Sequence, residues 1–187
     1  SLPSKNKDME SVLALLPAAA FANGEPTFSY FDITQYKDVY DGNSFVGGTV
    51  SVEGNTLTIT PERDYGIRRA QLKYDDNETV SIPITTAGAE LTYNIDTKNA
   101  TTIQVQVGFK LFHTVTCSSE DYITVNSTSV MEGDWVIVTP NTNIVGVNID
   151  SIWYQYDGQE KVTITPDNND IYKFQMGTSN VTVGADV

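Results

Sequence analysis

"GDWVIVTP", from Gly133 to Pro140, decides how the rest of the chain is read. Alone it is one β-strand, alternating in polarity and closed by a proline that cannot donate to a ladder. Yet 79 positions earlier the chain reads "GNTLTITP", from Gly54 to Pro61. The glycine, the alternating apolar pair and the terminal Thr-Pro recur in order. Downstream, "LKYDDNETVSI" (Leu72–Ile82) is matched by "YQYDGQEKVTI" (Tyr154–Ile164), and "LTYNID" from Leu91 by "YKFQMG" from Tyr172. Finally "TTIQVQVGF" aligns with "SNVTVGADV", setting Ile103 and Val105 against Val181 and Val183. The spacing drifts only between 78 and 82 residues, as loop insertions would produce. Ordered matches over four successive strands identify a tandem duplication.

Each copy carries the period-2 alternation of half-buried strands. In the first, Val50, Val52, Leu57 and Ile59 alternate with polar residues. In the second, Trp135 and Ile137 fall on one face and Val136 and Val138 on the other, which predicts a strand covered on both sides. Turn signals recur throughout: "DGN", "VEGN", "YDDN", "YDGQ" and "PDNND". After Pro26 no segment has a helical period. The expected fold is all-β: two tandem small β-sandwich or barrel-like domains, residues 27–109 and 110–187, behind an apolar N-terminal arm, residues 1–26. The boundary falls near Gly108–Phe112, where strand runs directly into strand, which predicts a stiff connection rather than a flexible linker.

Length and composition agree. A chain of 187 residues accommodates two domains of about 80 residues, each burying about 60–65% of its unfolded surface. Hydrophobic content of 40% is that of a folded protein, so a folded chain is the expectation. The formal net charge is −13, from 24 acidic and 11 basic residues. Nucleic acid and anionic membrane surfaces are therefore poor partners, since both are bound by clustered Lys and Arg, and Arg68-Arg69 is the single basic doublet. Cys117 is alone, so no intrachain disulfide forms, and a small buried hydrophobe is the expectation for it.

The second copy resembles the divergent repeats related to the internalin B-repeat, small Ig-like β modules of bacterial surface proteins. The resemblance rests on Gly133, "VIVTP", "WYQYDG", "YKFQM" and "NVTV", and covers most of the second copy but the first only loosely. "NTNIVGVN" stands where the family carries Gly-Tyr, and the first copy has no Trp. Such modules serve as stalks, spacers or protein-binding units, so the resemblance implies no catalysis and carries over no functional residues.

The N-terminal stretch differs in character. Two lysines precede an almost wholly apolar run, Val12–Phe21, ending in Ala20-Phe21-Ala22, which imitates a signal-peptide cleavage site. Asp8 and Glu10 oppose that reading, and the run is too short to span a membrane, which takes about 20 apolar residues. Lys5–Leu16 is expected to be a short helix stopped by Pro17, followed by an extended segment. Two roles stay open. The arm packs on its own β domain, or Val12, Leu13, Leu15, Leu16 and Phe21 dock it into a neighbouring subunit or partner.

Catalytic chemistry is poorly provided for. His113 is the sole histidine, and in a strand it stands about 13 Å from Cys117, beyond the reach a nucleophile and base require. The chain lacks the Cys/His sets of zinc sites and has no Gly-rich phosphate loop. The acidic groups Asp75, Asp76 and Glu78, and Asp167 and Asp170, read as turn formers, with weak calcium binding as the functional alternative. Neither matches the spacing of a calcium loop. Among aromatic residues, Trp135, Tyr154 and Tyr156 are a candidate binding face for a glycan or a protein; Trp153 would then point into the core. The expectation is a non-enzymatic structural or interaction protein without cofactor or metal. It would be displayed extracellularly or on a virion, and docked through residues 1–26. A carbohydrate-binding module is the alternative.

Overall fold

In a computed structural model, residues 25–40, 44–75 and 78–187 are described. They are all-β, with no α-helix among them. The chain divides into two compact units, the first ending at Phe109 and the second running from Lys110 to Val187.

In the first unit, β1 (Thr27–Asp32), β2 (Lys37–Val39), β3 (Gly48–Glu53), β4 (Thr56–Pro61), β5 (Tyr65–Tyr74), β6 (Thr79–Ser81) and β7 (Leu91–Asn94) precede β8 (Thr102–Cys117). One sheet is β3-β4-β7, antiparallel throughout. The other has the order β6-β5-β8-β1-β2, with β1 parallel to the first half of β8. Leu57 and Ile59 from the first sheet meet Leu72, Ile103, Val105 and Val107 from the second, all fully buried, in one sandwich core.

The second unit repeats the scheme. Its strands are β9 (Ile123–Val125), β10 (Ser129–Met131), β11 (Trp135–Pro140), β12 (Ser151–Tyr156), β13 (Val162–Thr163), β14 (Tyr172–Gln175) and β15 (Val181–Asp186). One sheet is β9-β11-β14; the other is β13-β12-β15-β8-β10, using the last part of β8. Its core joins Val136, Val138 and Phe174 to Val115, Ile152, Val181 and Val183.

The aligned residues occupy matching places. β4 and β11 share one burial pattern, so Leu57 and Ile59 correspond to Val136 and Val138. The Leu72–Val80 pair of β5 and β6 recurs as Tyr154–Val162. Single backbone bonds recur too. Ile82 N donates to Ala70 O at 2.9 Å, and Ile164 N to Ile152 O at 2.8 Å. Beyond each Thr-Pro, Glu62 N donates to Gly47 O (2.8 Å) and Asn141 N to Tyr122 O (2.7 Å). The repeated glycine is explained by conformation: Gly54 and Gly133 have φ of 63° and 89°, a region costly for residues with a Cβ. Gly54 opens the two-residue Gly54-Asn55 hairpin that joins Glu53 to Thr56.

Leu57 fills its site completely, so Leu57→Ala is expected to cost about 2–5 kcal/mol through lost contacts and a residual cavity. Val162→Ala, on an exposed position, should stay within about 0.5 kcal/mol. Urea denaturation of both variants checks the contrast; equal losses would contradict the core described.

Candidate functional site

The aromatic cluster of the sequence is divided between the two sheets of the second unit. Ile152, Tyr154 and Tyr156 lie on one side of β12, and all three join the second core. Tyr154 stacks on Phe174, with ring centroids 4.1 Å apart and planes at 14°. The Tyr156 hydroxyl donates to Gln175 O (3.3 Å) and accepts from Gly177 N (2.7 Å). Burial raises its pKa above the ordinary tyrosine value, with the Gly177 amide acting the other way. Trp153 projects from the opposite side of the strand. It is 8% exposed, is not part of the second core cluster, and lies against Gly184, where a Cβ would collide with the indole. Lys161 Nζ sits 4.1 Å from the ring centroid, and the indole N–H is buried without a hydrogen-bond partner.

Trp135 belongs to the other sheet. Val136 and Val138 point inward, so Trp135 points out and is 46% exposed, with Lys173 Nζ 4.5 Å from its ring centroid. The expectation of a strand covered on both sides is corrected: β11 buries one face, with Ile137 only half-buried on the other. Trp135 is thus an outward residue of one sheet, whereas Tyr154 and Tyr156, on the other sheet, are half-buried and pack against the second core.

The acidic groups act locally. Asp167 Oδ1 accepts from Asn169 N (2.8 Å) and Ile171 N (3.0 Å), and Lys173 lies 3.7 Å from Oδ2. These amides hold its carboxyl below the usual aspartate range. Asp75 accepts from Thr101 N (2.7 Å). Asp32 is fully buried and accepts from the amides of Thr34, Gln35 and Val46 at 3.0–3.1 Å, a role its sequence did not advertise. Among the described residues, no group of three or more His, Cys, Asp or Glu is placed to hold a metal ion. His113, on β8, pairs with Glu132, just past the end of β10, at 2.6 Å, not with Cys117. Also among the described residues, no helix is long and apolar enough to cross a membrane. Val12, Leu13, Leu15, Leu16 and Phe21 lie outside the described residues.

What sequence reasoning missed is a groove of about 430 Å³ in the second unit, open to solvent, between the end of β8 and β9. Val115, Cys117, Ile123 and Val125 form its apolar wall, with Glu120 and Thr128 also lining it. Its origin is local. β10 pairs with β8 only at Phe112–Thr114, and one further bond, from Val115 N to Thr128 O (2.9 Å), ends that contact. Past it, β8 stays paired with β15 on one side, Ser118 N donating to Val183 O (2.9 Å). On the groove side, Cys117 Sγ reaches Ile123 O at 3.7 Å. Cys117 is half-buried and packs against the second core.

No known protein family, curated protein or solved structure matches the chain.

Two outcomes are expected of this arrangement. Trp153→Ala should cost about 3–5 kcal/mol, whereas Trp135→Ala should lose only the contact with Lys173, about 0.5–1 kcal/mol; thermal or urea melts of both compare them. In an NMR pH titration, the Asp167 carboxyl should titrate below the value of about 3.9 of a free aspartate. Because its folded value is depressed, its contribution is present above that pH and lost as pH falls through the folded value.

Proposed function

We propose that this chain is a non-enzymatic structural or interaction protein, a pair of tandem β modules displayed on a surface and docked through its N-terminal segment. A phage virion component, such as a head decoration or fibre subunit, and a bacterial envelope component are the two settings it suits. The resemblance to B-repeat modules supports the envelope setting.

The observation that carries the reading is the groove beside Cys117. It is apolar, open and flanked by strand edges, which suits a polypeptide partner. The polar groups that could serve catalysis are engaged in turns and ladders, as Asp32, Asp167 and the His113–Glu132 pair illustrate. The packing of Tyr154 and Tyr156 against the second core favours this reading over a glycan-binding one.

Light scattering of the intact chain and of one starting at Pro26 tests the docking role. The intact chain is expected to assemble and the shortened one to remain a folded monomer of correspondingly lower mass. Two monomers of equal stability would end this reading.

A further inference from the structure

The duplication supplies an internal reference for what belongs in the groove. Because Ile103 and Val105 correspond to Val181 and Val183, their β-ladder partners correspond as well. Phe28 and Tyr30, opposite Ile103 and Val105, are the counterparts of Val115 and Cys117, opposite Val181 and Val183. Phe28 and Tyr30 both pack against the first core. Tyr30 also lies beside the backbone of Val52 on β3, and its burial raises its pKa. The first unit therefore closes its sandwich edge with two aromatic rings, where the second offers a valine and a cysteine.

The edge strand differs in the same place. In the first unit, β2 covers positions 30–32 of β1, pairing Tyr30 with Val39, Phe31 with Asp38 and Asp32 with Lys37. Their counterparts are Cys117–Ser119, but the edge strand of the second unit, β10, pairs earlier, with Phe112–Thr114. The second sandwich thus lacks both the aromatic filling and the strand cover that complete the first.

We infer that the groove is an acceptor for the apolar segment Val12–Phe21 of a second copy of this chain, with Phe21 supplying the aromatic group that Tyr30 supplies in the first unit. This inference rests on the docking role proposed above and names its partner. Composition suits the occupant: Val12–Phe21 is the long apolar run of the sequence, and it lies outside the described residues. Charge suits it too. Lys5 and Lys7 balance Asp8 and Glu10 within residues 1–24, so the entire net charge of −13 resides in the remainder. The segment can therefore approach Glu120 and Asp121 without the repulsion that opposes contact between two acidic bodies. Open strand edges are natural templates for an added chain segment.

Two full-length variants test this. Phe21→Asp spoils the segment and leaves the groove intact; Cys117→Tyr fills the groove as Tyr30 fills its counterpart and leaves the segment intact. Each alone should be a monomer of 20.5 kDa by light scattering, and Cys117→Tyr should melt no lower than the parent. Mixed in equal amounts they should recover a one-to-one pair, because each retains the half that the other has lost. If Phe21→Asp assembles as the intact chain does, the docking role itself falls. If Phe21→Asp is monomeric while Cys117→Tyr still assembles, or the mixture stays monomeric, the groove is not the acceptor and the docking role survives. A Cys117→Tyr chain that melts well below the parent is replaced by Val125→Trp, which obstructs the same groove from β9, with the same outcomes.

Discussion

Both cores depend on a single strand. β8 gives Ile103, Val105 and Val107 to the first sandwich and Val115 to the second, all at period 2. A shift of one residue would turn these four outward and the intervening Gln104, Gln106 and Thr116 inward. Parallel pairing with β1 in one unit and with β15 in the other fixes that register twice. Each half of β8 therefore constrains the strands it pairs with in its own unit.

Around that strand, the two copies have kept the backbone and changed the filling. Bonds such as Ile82 N to Ala70 O and Ile164 N to Ile152 O preserve the pairing. Side chains diverge where sheet edges meet. The first unit packs Phe45 against Phe109, rings at 86°, and leaves room for the Phe109 ring over Gly48. The second places Ile123 at the Gly48 position and stacks Tyr154 on Phe174 instead. Redistributing aromatic volume within conserved ladders leaves one edge closed and the other grooved, since interiors are dense enough that a ring removed from one place leaves space there.

Much of the architecture was legible in the residues. Alternation at Leu57 and Ile59 and at Val136 and Val138 marked inward positions; the glycines before each strand and the Thr-Pro after it marked its ends. The candidate binding face was legible only as a cluster. Period 2 separates Trp153 from Tyr154 and Tyr156 but does not say which side is the interior. Trp153 is buried, as its size suggested, but on the face opposite Tyr154 and Tyr156, beside Gly184, whose missing side chain leaves room for the indole. Asp32 shows the same limit. Nothing in "YFDIT" distinguishes it from a surface turn residue until Val46, fourteen positions on, brings a third amide to its carboxylate.

The sequence by itself determined the all-β class, the duplication and the polarity of most strands, because those follow from local alternation, turn chemistry and self-similarity. Only the tertiary structure decided which aromatic residues pack against the core and which is outward, and that β10 pairs too early on β8 to cover Cys117. Those outcomes depend on which surfaces meet across sheets and on registers between distant strands, and a residue's neighbours along the chain carry no record of either.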